Sequence, residues 1–238
     1  MSLLRPSIIF RQLFEKESST FTYVLADAVT KEAVLIDPVL ETVERDTAVL
    51  QELGLTLLYG INTHAHADHI TGTFRLKQNF PDMKSLISGT SGAAADIVLN
   101  DGDRVTFGSR HLTCFTTPGH TEGCMCFVLD DRSGVFTGDT LLYRGCGRTD
   151  FQGGSSANLY NSVRSKLFTL PDECAVFPAH DYKGHTQSTI AEEKAFNPRL
   201  KMENSEATFV DIMANLKLSL PGKIDVAVPA NLRDGAEA

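Results

Sequence analysis

No apolar run in this 238-residue chain approaches the roughly 18 residues that a membrane-spanning helix needs, so no membrane partner is expected. The opening MSLLRPSIIFRQ has a short apolar stretch that Arg5 and Pro6 interrupt, too broken for a secretory signal. Basic residues are in deficit: 22 Lys and Arg against 30 Asp and Glu leave a formal charge of −8. Binding carried by phosphates needs a basic face, so no nucleic acid partner is expected. A small anionic substrate met by a local Arg cluster stays open. There is no CxxC pair, the five cysteines are an odd number, and Cys124 and Cys126 stand too close in sequence to pair comfortably. A chain of this length buries roughly three quarters of its unfolded surface and needs no staples. Free thiols in a reducing compartment follow; with no presequence read, a bacterial cytoplasm is expected, or the mitochondrial matrix for a trimmed eukaryotic protein.

Low-complexity segments, solenoid-type repeats and a linker long enough to divide the chain are also lacking. With 42% hydrophobic and 22% charged residues, the composition is that of an ordinary folded protein. The chain reads as one domain over 1–238, with C-terminal helices from about 187 and a frayed end over 234–238. Residues 21–28 and 33–37 read as a strand pair. A helix follows over 41–53, with Val43, Thr47, Leu50 and Leu53 on one face and Gly54 as its stop. Further strands are predicted at 55–62, 84–88, 104–107, 111–117, 124–129, 134–138 and 174–178, with a short helix over 70–78. Ser155 and Ser156 are N-cap candidates for a helix through Phe168, and helices are predicted at 187–196 and 205–217. Such an order suits helices covering packed sheets.

What the chain does have is Thr63-His64-Ala65-His66-Ala67-Asp68-His69, directly after an apolar strand. Imidazole and carboxylate are natural ligands of borderline first-row metals. One histidine in a loop is more often a satisfied polar side chain; HxHxDH favours a metal site. Three more strand exits repeat the pattern: Pro118-Gly119-His120, Gly138-Asp139 and Pro178-Ala179-His180. Strands packed side by side place such exits on one rim, and Pro and Gly let the backbone turn there. Any one of these residues alone is as well read as a turn histidine or a capping aspartate; four together are not coincidence.

HxHxDH followed by distant His, Asp and His is the signature of the metallo-β-lactamase fold. Longer stretches narrow the match: LIDPVLETVERD at 35–46, NTHAHADHITG at 62–72, TPGHTEGC at 117–124, FTGDTLLYRGCGRTDFQ at 136–152, FPAHDYKG at 177–184 and DVAVPAN at 225–231. Over almost its whole length the chain resembles the persulfide dioxygenase (sulfur dioxygenase) branch of that superfamily, a sister of glyoxalase II. RGCGRTDFQ is its most diagnostic part, because HxHxDH is shared across the superfamily. The resemblance implies an α+β fold, an αββα sandwich with the metal site at one edge of two packed sheets. It implies one Fe(2+) per chain, O2 as co-substrate and a homodimer. Carried over residue by residue, the iron ligands are His64, His120 and Asp139, a two-histidine, one-carboxylate set that leaves open positions on a non-haem iron. His66, Asp68, His69 and His180 then stand behind them, orienting the ligands and holding protons near the reacting oxygen. Dinuclear relatives hold a second metal at the matching positions, and all of these residues are retained here. The ligand inventory alone therefore leaves one metal and two both open, and the choice of one rests on the resemblance.

The implied reaction is oxidation of glutathione persulfide by O2 to sulfite and glutathione, a step of sulfide catabolism. Glutathione carries carboxylates, so an acidic protein needs a local cationic pocket, for which Arg144 and Arg148 are the candidates. Tyr182 and Lys183 follow His180 and complete the expected substrate contacts. Tyr182, His180 and Arg148 are the expected catalytic groups. Cys146 is read as a small buried hydrophobe rather than a reactive thiol, and Cys114, Cys124, Cys126 and Cys174 as core. His111 and His185 are read as non-ligands. The rival is a glyoxalase II-like dinuclear hydrolase of glutathione thioesters. Against it, only 58 residues follow His180, whereas such hydrolases carry a longer helical C-terminal segment. A non-catalytic metal-binding scaffold is the other alternative, and the intact ligand set opposes it.

Overall fold

The computed structural model describes residues 8–236. Its first sheet begins with an antiparallel pair, β1 (Ile8–Glu15) and β2 (Thr20–Asp27), with Ile8 opposite Asp27 and Glu15 opposite Thr20. The antiparallel β3 (Glu32–Ile36) comes next, then β4 (Thr56–Ile61), β5 (Lys84–Ser88) and β6 (Ile97–Leu99), which run parallel to β3. Helix α1 (Val43–Glu52) links β3 to β4, and α2 (Thr73–Asn79) links β4 to β5. Strand order is β1-β2-β3-β4-β5-β6.

The second sheet holds β7 (Arg104–Phe107), β8 (Arg110–Thr116), β9 (Met125–Leu129), β10 (Gly134–Gly138), β11 (Ala175–Pro178) and β12 (Ser188–Thr189) in the order β12-β11-β10-β9-β8-β7. Only its β10–β11 pair is parallel, and α3 (Ser156–Ser165) lies in that crossover. Helices α4 (Ile190–Phe196), α5 (Glu206–Ala214) and α6 (Ile224–Asn231) follow.

Alternation along the strands builds three apolar layers. Phe21, Tyr23 and Leu25 of β2 meet Phe127, Phe136 and Phe177 between the sheets. Val24 and Ala26, facing the other way, pack with Leu50 of α1 and Leu76 of α2. Cys126 and Val128 of β9 face Leu159 and Val163 of α3 and Phe209 of α5. This is the αββα sandwich. Both faces of β2 are covered, so FTYVLAD reads as a continuous apolar run rather than an alternating one. Truncating a ring in the central layer, Phe136→Ala for instance, costs about 3–5 kcal/mol.

Several boundaries differ from the sequence reading for local reasons. Residues 188–189 pair with Ala175 and Val176 as a sheet edge, so α4 starts only at Ile190, where the Thr189 hydroxyl accepts from Glu192 N–H. The helix read through Phe168 stops at Ser165, and a separate 3-10 turn covers Leu167–Thr169. Strands β1 and β6 and helix α6 were not predicted. Strand β1 is an edge strand, half-buried along most of its length, and shows no clean alternation. Helix α6 contains Pro229, which reads as a breaker. The end read as frayed is anchored at Asp234, whose carboxylate accepts from Lys77 Nζ at 2.6 Å and Ser85 Oγ at 2.8 Å. The parts of the terminal readings that fall on residues 1–7 and 237–238 lie outside the described residues.

Candidate metal centre

All four strand exits singled out in the sequence arrive at one edge of the sandwich. The chain leaves β4 into the irregular segment 62–70, which carries His64, His66, Asp68 and His69. Asp37, at the exit of β3 with φ of 50°, holds the start of that segment. Its carboxylate accepts from Thr63 N–H at 2.7 Å and from the Thr63 hydroxyl at 2.9 Å. From the second sheet, β8 delivers His120, β10 delivers Asp139 and β11 delivers His180.

Two groups of ligand atoms result. His64, His120 and Asp139 form one, and His66, Asp68 and His180 the other; within each, the ligand atoms lie within 4.8 Å of one another. Outward hydrogen bonds settle which ring nitrogen carries the proton. His120 Nδ1 lies 2.6 Å from the Arg148 carbonyl and must donate to it. The Thr63 hydroxyl already donates to Asp37, so it accepts from His64 Nδ1 at 3.0 Å. His66 Nε2 donates to Asp37 at 3.1 Å, and His69 Nδ1 to Asp68 at 3.1 Å. Four imidazoles thus keep one bare nitrogen each. Among the described residues, His66 Nδ1, His69 Nε2 and Asp139 Oδ1 are buried with no hydrogen-bond partner, although His180 Nε2 lies 3.5 Å from Asp139 Oδ1. Buried polar atoms are rarely left so; at Asp139, ligand atoms of His64 and His120 stand within 4.8 Å of the carboxylate, a set that suits a cation. This donor set fits iron(II).

Burial, then the neighbouring His66 and His120, hold the His64 imidazole well below its ordinary range, which keeps it neutral. His69 is lowered by burial and by His66. Burial opposes charge on Asp68 too, but His180 and His69 outweigh it and hold the carboxyl well below the usual carboxylate range. At His180 burial again opposes charge, and Asp139 and Asp68 prevail, raising it.

Residues 16–180 match the metallo-β-lactamase superfamily. The chain is 56% identical over 230 residues to persulfide dioxygenase ETHE1 of Homo sapiens, covering 97% of this chain and 90% of that one. The crystal structure of ETHE1 from Myxococcus xanthus superposes with a TM-score of 0.92 at 48% identity, covering 96% of this chain and all of that one. A hydroxyacylglutathione hydrolase of Thermosynechococcus vestitus is more distant, 35% identical over 77% of this chain and 72% of its own. The chain belongs to the persulfide dioxygenase family.

In this member of the family the metal edge opens into a cavity of about 660 Å³ whose lining includes Asp68, His120, Asp139 and His180. Arg144, Arg148, Tyr182 and Lys183 all border it, but they differ in what they offer. The Arg144 fork is committed to Glu192 at 2.7 Å and to the fully buried Glu193 at 2.6 Å. Arg148 clasps Asp150 with two bonds of 2.6 and 2.7 Å and donates to the Ser219 carbonyl. Tyr182 is largely exposed and stacks on His180, with ring centroids 6.2 Å apart. Lys183 has no ion pair among the described residues. Arg199, which the sequence reading missed, also borders the cavity and donates to the Cys146 carbonyl.

Gly147 explains part of the diagnostic loop. A Cβ there would stand 2.8 Å from the His120 ring and 2.8 Å from the Asp139 carbonyl, so only glycine lets the loop pass behind two ligands. Cys146 is buried against Met213, and burial pushes its thiol up to about 11, so it is no thiolate. The other four cysteines are buried too. His111 is half-buried on β8. His185 stacks on Tyr143 at 3.9 Å and bonds Asp181, outside both ligand groups. As parts of the site the sequence reading missed Asp37, Thr20, whose hydroxyl lies 3.3 Å from both His69 Nδ1 and His180 Nδ1, Gln152, which donates to the Ala65 carbonyl, and Asn231, which donates to the His66 and His69 carbonyls. Asp37 left a local signal, an acidic residue between an apolar strand and a proline, and Gln152 and Asn231 close two of the stretches that carry the resemblance.

Proposed function

We infer that the protein is a non-haem iron persulfide dioxygenase. The observation that carries this is that a chain 56% identical to a persulfide dioxygenase over 97% of its length also gathers ligand atoms of His64, His120 and Asp139 within 4.8 Å of one another, with His120 and Asp139 lining one cavity. The overall change is glutathione persulfide plus O2 plus water giving glutathione and sulfite. We propose that His64, His120 and Asp139 hold one iron per chain and that His66, Asp68 and His180 hold none. In the second group the Asp68 carboxylate already accepts from His69 and lies 3.7 Å from His180 Nε2. A bound iron(II) supplies the redox chemistry that lets dioxygen react with sulfur.

The chain's own residues bind, orient and hold protons. Among the described residues, Lys183 and Arg199 are the cations of the cavity wall that no carboxylate neutralises, and they suit the carboxylates of glutathione. Arg144 and Arg148 shape the wall through their pairs with Glu192, Glu193 and Asp150. Tyr182 covers His180 from the cavity side. Asp139, 3.5 Å from His180 Nε2, and Asp68, 3.7 Å from it, favour a proton on that imidazole. That proton is placed to meet the thiolate that leaves as glutathione.

The ligands come from both sheets, which supports reading the chain as one working unit. No helix among the described residues is long and apolar enough to cross a membrane. A bacterial cytoplasm or a mitochondrial matrix suits the five free thiols, and a homodimer follows from the resemblance, testable by sedimentation. Protein purified without oxygen is expected to carry close to one iron and little zinc per chain. It is expected to consume oxygen with glutathione persulfide and to leave S-lactoylglutathione intact. A bridged zinc pair with thioester cleavage overturns this reading in favour of hydrolysis.

A further inference from the structure

The DVAVPAN stretch contributes no ligand to either group, yet its last residue reaches the metal segment from behind. Asn231, at the end of α6, is 4% exposed. Its side-chain amide makes three hydrogen bonds. Nδ2 donates to the carbonyls of His66 and His69, both at 2.8 Å, and Oδ1 accepts from Thr71 N–H at 2.8 Å. All three backbone groups belong to the stretch that carries His66, Asp68 and His69. His66 and His69 lie outside any helix or strand, so their carbonyls depend on such a side chain for a partner. Both amide protons and the amide oxygen are used. An aspartate of the same shape would turn an acceptor toward two carbonyls.

The segment beyond Asn231 is fastened as well. Gly235 lies at φ 82°, where a Cβ would stand 2.5 Å from the Thr71 carbonyl. The Thr73 hydroxyl donates to the Asp234 carbonyl at 2.9 Å, and the Asp234 carboxylate accepts from Lys77 and Ser85. The chain's last helix and the turn after it are therefore docked on the first sheet, with Asn231 as the contact that touches the metal segment.

We propose that Asn231 is a positioning residue of the metal centre. From α6 it holds the backbone of the histidine-rich segment in the path that aims its side chains, and it couples metal retention to the docking of the last helix. The proposal rests on the metal reading of the site and is independent of the substrate. Losing the amide strands two buried carbonyls and one N–H, and the segment relaxes to find other partners. A site loosened in this way loses affinity without losing a ligand. Coupling is reciprocal, so metal binding must in turn steady α6.

The test uses the full chain stripped of metal and titrated with Co(II), whose visible spectrum reports the geometry at the ion. Asn231→Asp and Asn231→Ala are expected to weaken Co(II) binding about tenfold or more and to shift the spectrum. Leu50→Val, a core change in α1 away from the segment, is expected to lower the melting temperature with Co(II) affinity unchanged. In the wild-type protein, added Co(II) is expected to slow amide exchange over 224–236. Unaltered affinity in both Asn231 variants, or an equal loss in Leu50→Val, overturns the proposal. Where neither Asn231 variant folds, the exchange measurement decides, and no slowing over 224–236 overturns it. Wild-type protein that takes up no Co(II) overturns the metal reading itself.

Discussion

The two groups of ligand residues share one inventory, two histidines and an aspartate, and differ in what stands behind them. In His64, His120 and Asp139 the imidazoles spend their Nδ1 protons on the Thr63 hydroxyl and the Arg148 carbonyl. No member of that group gives a proton to another member. His66, Asp68 and His180 are instead knit into histidine–aspartate pairs: His66 to Asp37, Asp68 to His69, and His180 near Asp68. The first arrangement leaves lone pairs pointed at a shared point beside the cavity. The second partly satisfies itself, and its carboxylates favour a charged His180. A ligand list does not distinguish them; the hydrogen-bond partners do.

The largest expected effect tests the first group. His120→Ala is expected to lose iron and to cut oxygen uptake on the order of a thousandfold, the several kcal/mol that a metal contributes. Elemental analysis and an oxygen electrode read both, and a His120→Ala protein with full iron and turnover would break the contrast. Asp68→Asn tests the second group. It is expected to keep one iron per chain while turnover falls about a hundredfold, because His180 loses a carboxylate that keeps its proton. Iron lost in proportion to activity would make Asp68 a ligand.

Gly147→Ala sharpens the contrast from the side of the backbone. Its methyl crowds His120 and Asp139, so iron affinity is expected to fall about tenfold while the His66, Asp68 and His180 arrangement stays. Crystals of the variant would show whether only the first group moves. The smallest effect belongs to Arg148→Lys, which cannot reproduce the paired bonds to Asp150 or the donation to the Ser219 carbonyl. KM for glutathione persulfide is expected to rise about threefold to fivefold, roughly 1 kcal/mol, with kcat moved less. Steady-state kinetics separate the two, and an equal fall in kcat would place Arg148 in the chemistry rather than in the wall.

Much of the fold is legible in the chain because strand runs such as AVLID and GVFTG are apolar, short and closed by Gly or charged turns. The candidate ligands are legible because His and Asp recur at strand exits. Strand β1 and helix α6 are not, since one is a half-buried edge and the other contains Pro229. Arg144 looks free in the sequence because nothing there reveals Glu192 and Glu193, some fifty residues away. Arg199 carries no motif, and Asn231 lies in the DVAVPAN stretch, which by itself says nothing of what its side chain holds.

Residue types and their order determined the strands, the helices over them and the chemical kind of centre this chain builds, because periodicity and ligand chemistry are local properties. Which nitrogen each histidine offers, which arginines are already neutralised, and that the last helix braces the histidine-rich segment were decided only by tertiary structure. Hydrogen bonds and ion pairs depend on separations of a few ångströms between groups up to 206 positions apart, and such proximity exists only once both sheets have packed.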